Sequence, residues 1–203
     1  KFSIGSDNIV EIAKAIADQC RHAFFDQCDL YFTPQSFRGW RREALLKRIS
    51  AWYVDIDTTG HKSGHDADLI EKQVLRAVRR ADLPAPHAIV RSGSGGCHLY
   101  WFTSLELTPA NKRRALQEWR SVAHWLTDSI NQFRPKSAHW TADASASHDP
   151  TRQLRVPGSM HSCGVKATAS VLADRAGWAR YSFSDMVALA PLHQATPIQQ
   201  SLF

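Results

Sequence analysis

The sequence predicts an α+β, or mixed α/β, domain with one core. Three observations carry this. Runs of β-branched and aromatic residues bounded by turn formers mark strands, and segments with apolar residues at helical spacing mark helices. In the second half of the chain the strand runs follow one another at hairpin-like spacing, which argues against a strict β-α-β array. The 203 residues, 43% of them hydrophobic, are enough for one real core. Residues 1–191 are expected to form a single domain, and 192–203, polar and without periodicity, a linker or disordered end. No internal repeat is visible.

Taken in order, Ile9, Ile12, Ala13, Ile16, Ala17 and Cys20 recur at helical spacing, with Asn8 and Glu11 placed as a capping pair, so a helix is expected from about Asp7 to Phe25. Leu30 to Phe32 is a short strand run, broken by Thr33-Pro34-Gln35-Ser36 and followed by a basic loop with Arg38, Trp40, Arg41 and Arg42. Ala51 to Asp57 reads as a buried strand that stops at Thr58-Thr59-Gly60. Ile70, Val74, Leu75 and Val78 mark a helix over Asp68 to Ala81, closed by Leu83-Pro84-Ala85-Pro86. Strands follow at His87 to Val90 and Cys97 to Phe102, joined by Ser92-Gly93-Ser94-Gly95-Gly96.

Thr108-Pro109 is placed as an N-cap with proline in the first helical position, opening the longest helix, Pro109 to Gln132. Its buried stripe is Leu116, Trp119, Val122, Ala123, Leu126 and Ile130. Arg134 to Asp149 reads as irregular, Arg152 to Val156 as a strand ahead of the turn at Pro157-Gly158, Val165 to Leu172 as a last strand, and Ser184 to Ala190 as a short helix.

The formal charge of +6 suits a polyanionic partner without demanding one. Cys20, Cys28, Cys97 and Cys163 form no C-x-x-C pair, so neither a zinc ribbon nor a secreted disulfide framework is indicated, and a cytoplasmic setting with reduced thiols is expected. No apolar run reaches the roughly 20 residues that span a bilayer, and the start has neither a signal-peptide pattern nor an initiator Met, as in an excised fragment.

Asp55 and Asp57 alternate with Ile56 on one strand, so both carboxylates face one side, about 7 Å apart. That geometry can straddle a pair of hard divalent ions, Mg²⁺ or Mn²⁺. Alone, a D-x-D is short and common, and a strand end whose carboxylates cap a turn is the better account of it. Ser92, Ser94 and the neighbouring glycines could surround a phosphate with His98 two residues on, or could form a plain hairpin turn. The run fits neither a Walker A loop nor G-x-G-x-x-G. Asp143 and Asp149 precede Arg152, Arg155 and Lys166, a candidate third ligand beside a basic wall suited to a triphosphate, or else a solvated basic face.

Together, in this order, Trp-Tyr-Val-Asp55-Ile-Asp57, Ser92-Gly-Ser-Gly-Gly-Cys-His98 and Asp143 with Arg152-Gln-Leu-Arg155-Val-Pro-Gly-Ser resemble the three motifs of the archaeo-eukaryotic primase superfamily, most like its plasmid and phage replication primases. The likeness spans residues 29 to 172; the serine-to-histidine spacing is wider than the short Ser-x-His form, and Met160-His161-Ser162-Cys163 stands where relatives often carry Asn then Lys. The resemblance implies an RRM-like catalytic sheet joined to an N-terminal α/β unit with flanking helices. It implies Mg²⁺ or Mn²⁺ on Asp55, Asp57 and Asp143, nucleotide contacts from Ser92, Ser94 and His98, and primer synthesis or strand extension by a primase-polymerase. To these we add Arg152, Arg155 and Lys166 as nucleotide contacts. Partners would be a single-stranded DNA template, an NTP or dNTP, and a helicase or other replication domain outside this chain, with no membrane.

Other features read as structural. Trp119 and Trp125 belong to a helix stripe, whereas Trp40 among arginines could stack on a template base. His61 and His65, four apart in a loop, fit a metal or a plain surface loop. The competing functions are a non-catalytic nucleic-acid-binding replication module, a metal-dependent nuclease and a D-x-D glycosyltransferase.

Overall fold

The computed structural model describes residues 9–25, 29–58, 67–160, 164, 166–171 and 180–190. His61, His65, Cys28, Cys163, the capping position Asn8 and the expected tail 192–203 lie outside these residues.

The chain runs α1 (Ile9–Phe25), β1 (Tyr31–Phe32), β2 (Ser36–Phe37), a 3-10 turn at Glu43–Leu45, β3 (Leu46–Thr58), α2 (Ala67–Arg80), β4 (Ala88–Arg91), β5 (Cys97–Glu106), α3 (Lys112–Gln132), β6 (Trp140–Asp143), α4 (Ala144–Ser147), β7 (Leu154–Arg155), β8 (Thr168–Val171) and α5 (Phe183–Leu189). The main sheet has the order β2-β3-β5-β4-β8, with β6 also paired to β3, while β1 and β7 form a separate two-stranded sheet. Every pairing among the described residues is antiparallel. This is the mixed α/β architecture that the hairpin spacing predicts.

β3 is central because its stretch Ala51 to Ile56 is buried throughout, which is why it reads as a continuous apolar run rather than an alternating one. Alternation still sorts the side chains. Trp52, Val54 and Ile56, with their β5 partners Trp101, Leu99 and Cys97, form one face of the core. Trp52 stacks on Phe183 of α5 and its indole N–H donates to the carbonyl of Trp119 in α3, 3.1 Å. Tyr53 and Asp55, paired with Tyr100 and His98, present the other face.

All six expected stripe residues of α3 are buried. The helix itself begins at Lys112 rather than Pro109, because Thr108 and Asn111 first close a turn on each other: Asn111 Oδ1 accepts the Thr108 N–H at 2.8 Å and Thr108 Oγ1 accepts the Asn111 N–H at 3.3 Å. Four tryptophans, Trp52, Trp101, Trp119 and Trp140, are fully buried. Each indole N–H has an acceptor, the others being Pro84 O, Ala51 O and Gln73 Oε1 at 2.8–2.9 Å. Their area is therefore buried without an orphaned donor.

Four further elements depart from the expected pattern. β2 occupies part of the stretch expected as a break and loop. β3 starts at Leu46, ahead of the expected Ala51, since Lys47 and Arg48 interrupt the apolar run while the pairing with β2 continues through a shift of register. β6 and α4 replace an expected irregular segment: four residues of Trp-Thr-Ala-Asp are too short to read as a strand alone and become one by pairing with β3. Along the edge of β3 between β2 and β6, and at the first pair with β6, side chains take over. Gln35 donates to Ala51 O at 2.7 Å and accepts from Ser50 N at 2.7 Å, Trp119 donates to Ala51 O, and Ser147 Oγ accepts the Asp55 N–H at 3.0 Å. No helix among the described residues is long and apolar enough to cross a membrane.

Candidate active site

The sheet register sets the site. Asp55 stands on β3 directly opposite His98 of β5 on one side and Asp143 of β6 on the other, and Asp57 lies two residues along β3. Directly opposed residues share a sheet face, so a histidine and two carboxylates form one row across three strands, with Asp57 beside it. Asp55 and His98 are buried, 5% and 6% exposed, whereas Asp57 is exposed. His98 Nε2 lies 3.4 Å from Asp55 Oδ1, and Arg152 reaches Asp55 Oδ2 from the other side at 3.4 Å.

Burial and like charge govern the titration. Desolvation lifts Asp55 to about 6, Arg152 opposes it, and Asp143 adds to it. Asp57 is raised by burial first, then by the Asp55 and Asp143 charges. Burial pushes His98 down to about 4; Asp57 resists this, while Arg152 and Arg155 add to it, so the imidazole is neutral at pH 7. Asp143 goes the other way. Burial raises it, but hydrogen bonds from the Ser145 side chain and the Ala146 and Ser145 amides outweigh that and hold it below the ordinary value.

The Ser92–Gly96 segment is the β4–β5 hairpin turn, closed by Ser92 N donating to Gly96 O at 3.0 Å. Gly93 and Gly95 take φ of 84° and 99°, the left-handed region that glycine enters without penalty. Ser92 and Ser94 hydroxyls lie 2.8 Å apart, and Ser92 Oγ also donates to Gly96 O at 3.1 Å. A Cβ on Gly96 would sit 2.1 Å from the carbonyl oxygen of Ile56, between the two β3 aspartates, so only glycine lets the turn press against the site.

The expected basic wall divides. Arg152 faces Asp55 and its buried Nε has no hydrogen-bond partner. Arg155 is buried elsewhere in the contact, with Nη1 on Asp29 Oδ1 at 2.7 Å, Nη2 on the Tyr31 hydroxyl at 2.8 Å and its guanidinium over the Tyr31 ring. Lys166 is exposed and near enough to Cys20 of α1 to oppose the rise in that thiol's pKa, which burial causes. Asp149 builds a turn instead of facing the row: its Oδ1 accepts from Thr151 N and Oγ1 at 2.8 and 2.7 Å, and its carbonyl accepts the Tyr53 hydroxyl. In the basic loop Arg38, Trp40, Arg41 and Arg42 are all exposed, and Arg41 donates to the Thr151 carbonyl, joining the loop to the segment that carries Arg152.

Oxygen donors on one sheet face match Mg²⁺ or Mn²⁺, and the mutual repulsion of Asp55, Asp57 and Asp143, which adds to burial in raising Asp55 and Asp57, is charge that a cation would offset. Among the described residues, however, no group of three His, Cys, Asp or Glu stands close enough to hold a metal ion. The physical reason is visible: Asp143 Oδ1 accepts three bonds, from Ser145 N and Oγ and Ala146 N, as the N-cap of α4, while Asp55 is engaged by His98 and Arg152. The donor chemistry fits; the ligand cage is not gathered.

Two contributors escaped the sequence. Ser147, fully buried, accepts from the Asp55 amide and donates to the Asp143 carbonyl at 2.6 Å, yet in Ala-Ser-Ala-Ser nothing distinguishes it. Tyr100 places its hydroxyl 3.5 Å from His98 Nδ1, and its position two residues along the same strand was the available signal.

No protein-family model and no curated protein matches the chain. Among solved structures it is similar to the archaeo-eukaryotic primase (AEP) domain of the primase-polymerase of cyanophage S-2L, with 18% sequence identity, a TM-score of 0.58, and coverage of 86% of this chain and 76% of that one. At that identity the likeness is one of fold, and the chain has the architecture of an AEP domain: a mixed α/β structure with an antiparallel sheet flanked by helices.

Proposed function

We propose that this chain is a primase-polymerase domain that joins nucleotides on a single-stranded DNA template in the replication of a plasmid, phage or other mobile element. The observation that carries the reading is the row His98, Asp55, Asp143 across β5, β3 and β6, with Asp57 beside it, on an AEP-like sheet.

In this reading a primer 3′-hydroxyl, or that of an initiating nucleotide, attacks the α-phosphorus of a bound triphosphate, and pyrophosphate leaves. Mg²⁺ or Mn²⁺, held by Asp55, Asp57 and Asp143, would supply charge neutralisation and acidify the attacking hydroxyl. The chain's own residues position and balance charge. Neutral His98 has a single ring N–H, which faces Asp55 and would pass from that carboxylate to a phosphate oxygen, and the part-exposed Arg152 offers its guanidinium. Ser92 and Ser94 present hydroxyls and backbone at the turn beside Asp57. Arg155 supports the strand below, and Lys166 is an outer cation. Trp40 and the three arginines around it form the template contact, with stacking from the indole and charge from the guanidiniums. A helicase or other replication domain is the expected partner.

The test is synthesis on single-stranded templates with labelled nucleotides and Mg²⁺ or Mn²⁺, with and without primer, beside Asp55→Ala/Asp57→Ala. Loss of product by at least about 10³-fold in a folded double variant is expected; undiminished synthesis overturns the assignment. A second reading, a non-catalytic nucleic-acid-binding module, is favoured by the ungathered carboxylates. It predicts template binding without any product from the unaltered chain.

A further inference from the structure

One side chain joins the backbones of the two opposed carboxylate residues. Asp55 and Asp143 meet at the first pair between β3 and β6. Ser147, the last residue of α4, bridges them: its Oγ accepts the Asp55 N–H at 3.0 Å and donates to the Asp143 carbonyl at 2.6 Å. A serine that bonds back to the carbonyl four residues earlier is ordinary in a helix. The bond from an amide 92 residues away is not. Ser147 is 0% exposed, so water does not compete for either bond, and the single hydroxyl proton is committed to Asp143.

The same short helix also fixes the Asp143 carboxylate. Oδ1 accepts from Ser145 N, Ser145 Oγ and Ala146 N at 2.8–3.3 Å, while Oδ2 accepts no bond among the described residues. The last residue of α4 therefore sets the backbone spacing of the pair, and its first turn sets the rotation of one carboxylate and leaves an oxygen over. β6 has another tether with neither property. Asn131 of α3 donates to Ala142 O at 3.0 Å and accepts the Ala142 N–H at 2.9 Å, which secures the strand and touches neither aspartate. On the Asp55 side the carboxylate contacts, to His98 and Arg152, are both long at 3.4 Å. Its side chain can turn while the backbone stays in place.

We propose that Ser147 is a positioning residue, which holds the backbones of Asp55 and Asp143 at the spacing from which their carboxylates share one divalent cation without touching that ion itself. The cation, Mg²⁺ or Mn²⁺, rests on the nucleotidyl-transfer reading. Removing outer groups that orient metal ligands typically costs about 10–100-fold in metal affinity.

The experiment measures Mn²⁺ binding to the whole chain by electron paramagnetic resonance well below Tm, and Tm itself in a chelating buffer, for Ser147→Ala, Ser147→Cys and Thr127→Val. Thr127→Val removes a buried hydroxyl that bonds to Ala123 O within α3 at 2.8 Å, and so reports the effect of lost stability alone. Ser147→Ala is expected to weaken Mn²⁺ about ten-fold or more, and Thr127→Val to leave it within about two-fold. Ser147→Cys fills the space with a weaker donor and acceptor; it is expected to weaken Mn²⁺ in the same direction, and it carries the test if Ser147→Ala does not fold. Unchanged affinity in the folded Ser147 variants, or an equal loss in Thr127→Val, overturns the proposal, and template-directed synthesis by the unaltered chain then leaves the nucleotidyl-transfer reading standing. Mn²⁺ binding that depends on Ser147 in a chain that makes no product supports the proposal and overturns that reading. An unaltered chain that binds no Mn²⁺ overturns the proposal.

Discussion

Arg152 and Arg155 stand three residues apart in one segment, and the difference between their surroundings separates framework from working surface. Arg155 is 4% exposed and saturated: Asp29, the Tyr31 hydroxyl and the Tyr31 ring take up its guanidinium where β1 pairs with β7. Arg152 has a side chain 43% exposed, a single long contact to Asp55 and an unused Nε. A buried ion pair with every partner in place fixes geometry, whereas a cation left partly unpaired beside ionisable carboxylates is available to a ligand.

The largest effect that could break this contrast is at Arg155. Arg155→Ala removes a buried guanidinium from both Asp29 and the Tyr31 hydroxyl and is expected to lower stability by about 3 kcal/mol, read as a fall in Tm. Arg152→Ala is expected to shift stability by less than about 1 kcal/mol while weakening triphosphate binding about ten-fold. Equal losses of Tm in both variants would erase the distinction.

Gly96→Ala extends the comparison from single residues to the ground beneath them. With Ile56 O 2.1 Å from the new Cβ, the hairpin turn must lift off β3. An expected loss of about 1–3 kcal/mol should be accompanied by a larger loss of nucleotide binding than Arg155→Ala produces in its surviving folded fraction. Denaturant melts with parallel binding isotherms measure both.

The pH dependence sharpens the working side. Asp55, raised from 3.8 to about 6, favours the folded state below that range, and the contribution is lost as pH rises through about 6. His98, lowered from 6.5 to about 4, contributes stability above 6.5 that is lost as pH falls toward 4. The two slopes oppose one another, so the joint contribution of this pair is expected to be shallow in pH between about 4 and 6, while His148, also pushed down to about 4 by burial, adds a decline as pH falls from 6.5 toward 4. Asp55→Asn removes one of the opposed pair and should steepen that decline, followed by chemical denaturation at each pH. The smallest structural effect is expected at Trp40, which is 69% exposed: Trp40→Ala should leave Tm in place and weaken single-strand binding about five-fold or more.

Much of this is legible in the sequence. The stripe of α3, the D-x-D strand and the glycine turn all depend on local periodicity, and local periodicity is written in the chain. Sequence spacing could not show that Asp143 would stand level with Asp55, because β6 owes its existence to pairing with β3. Nor could it separate Arg152 from Arg155: both belong to the same basic segment, and only Asp29, 126 residues away, distinguishes them. The later start of α3 reflects a similar limit. Thr108-Pro109 carries the right residues for a helix start, but Asn111 returns the Thr108 bond and holds the turn closed first.

The stretch of β3 between β2 and β6 has a further consequence, for how these molecules behave at high concentration. A strand edge with free amides and carbonyls is a template on which another chain can add. Here Gln35, Trp119 and Ser147 already occupy the polar groups of Ser50, Ala51 and Asp55. That part of β3 is thereby withdrawn from intermolecular ladders, which leaves the short outer strands β2, β6 and β8 as the edges the main sheet presents among the described residues.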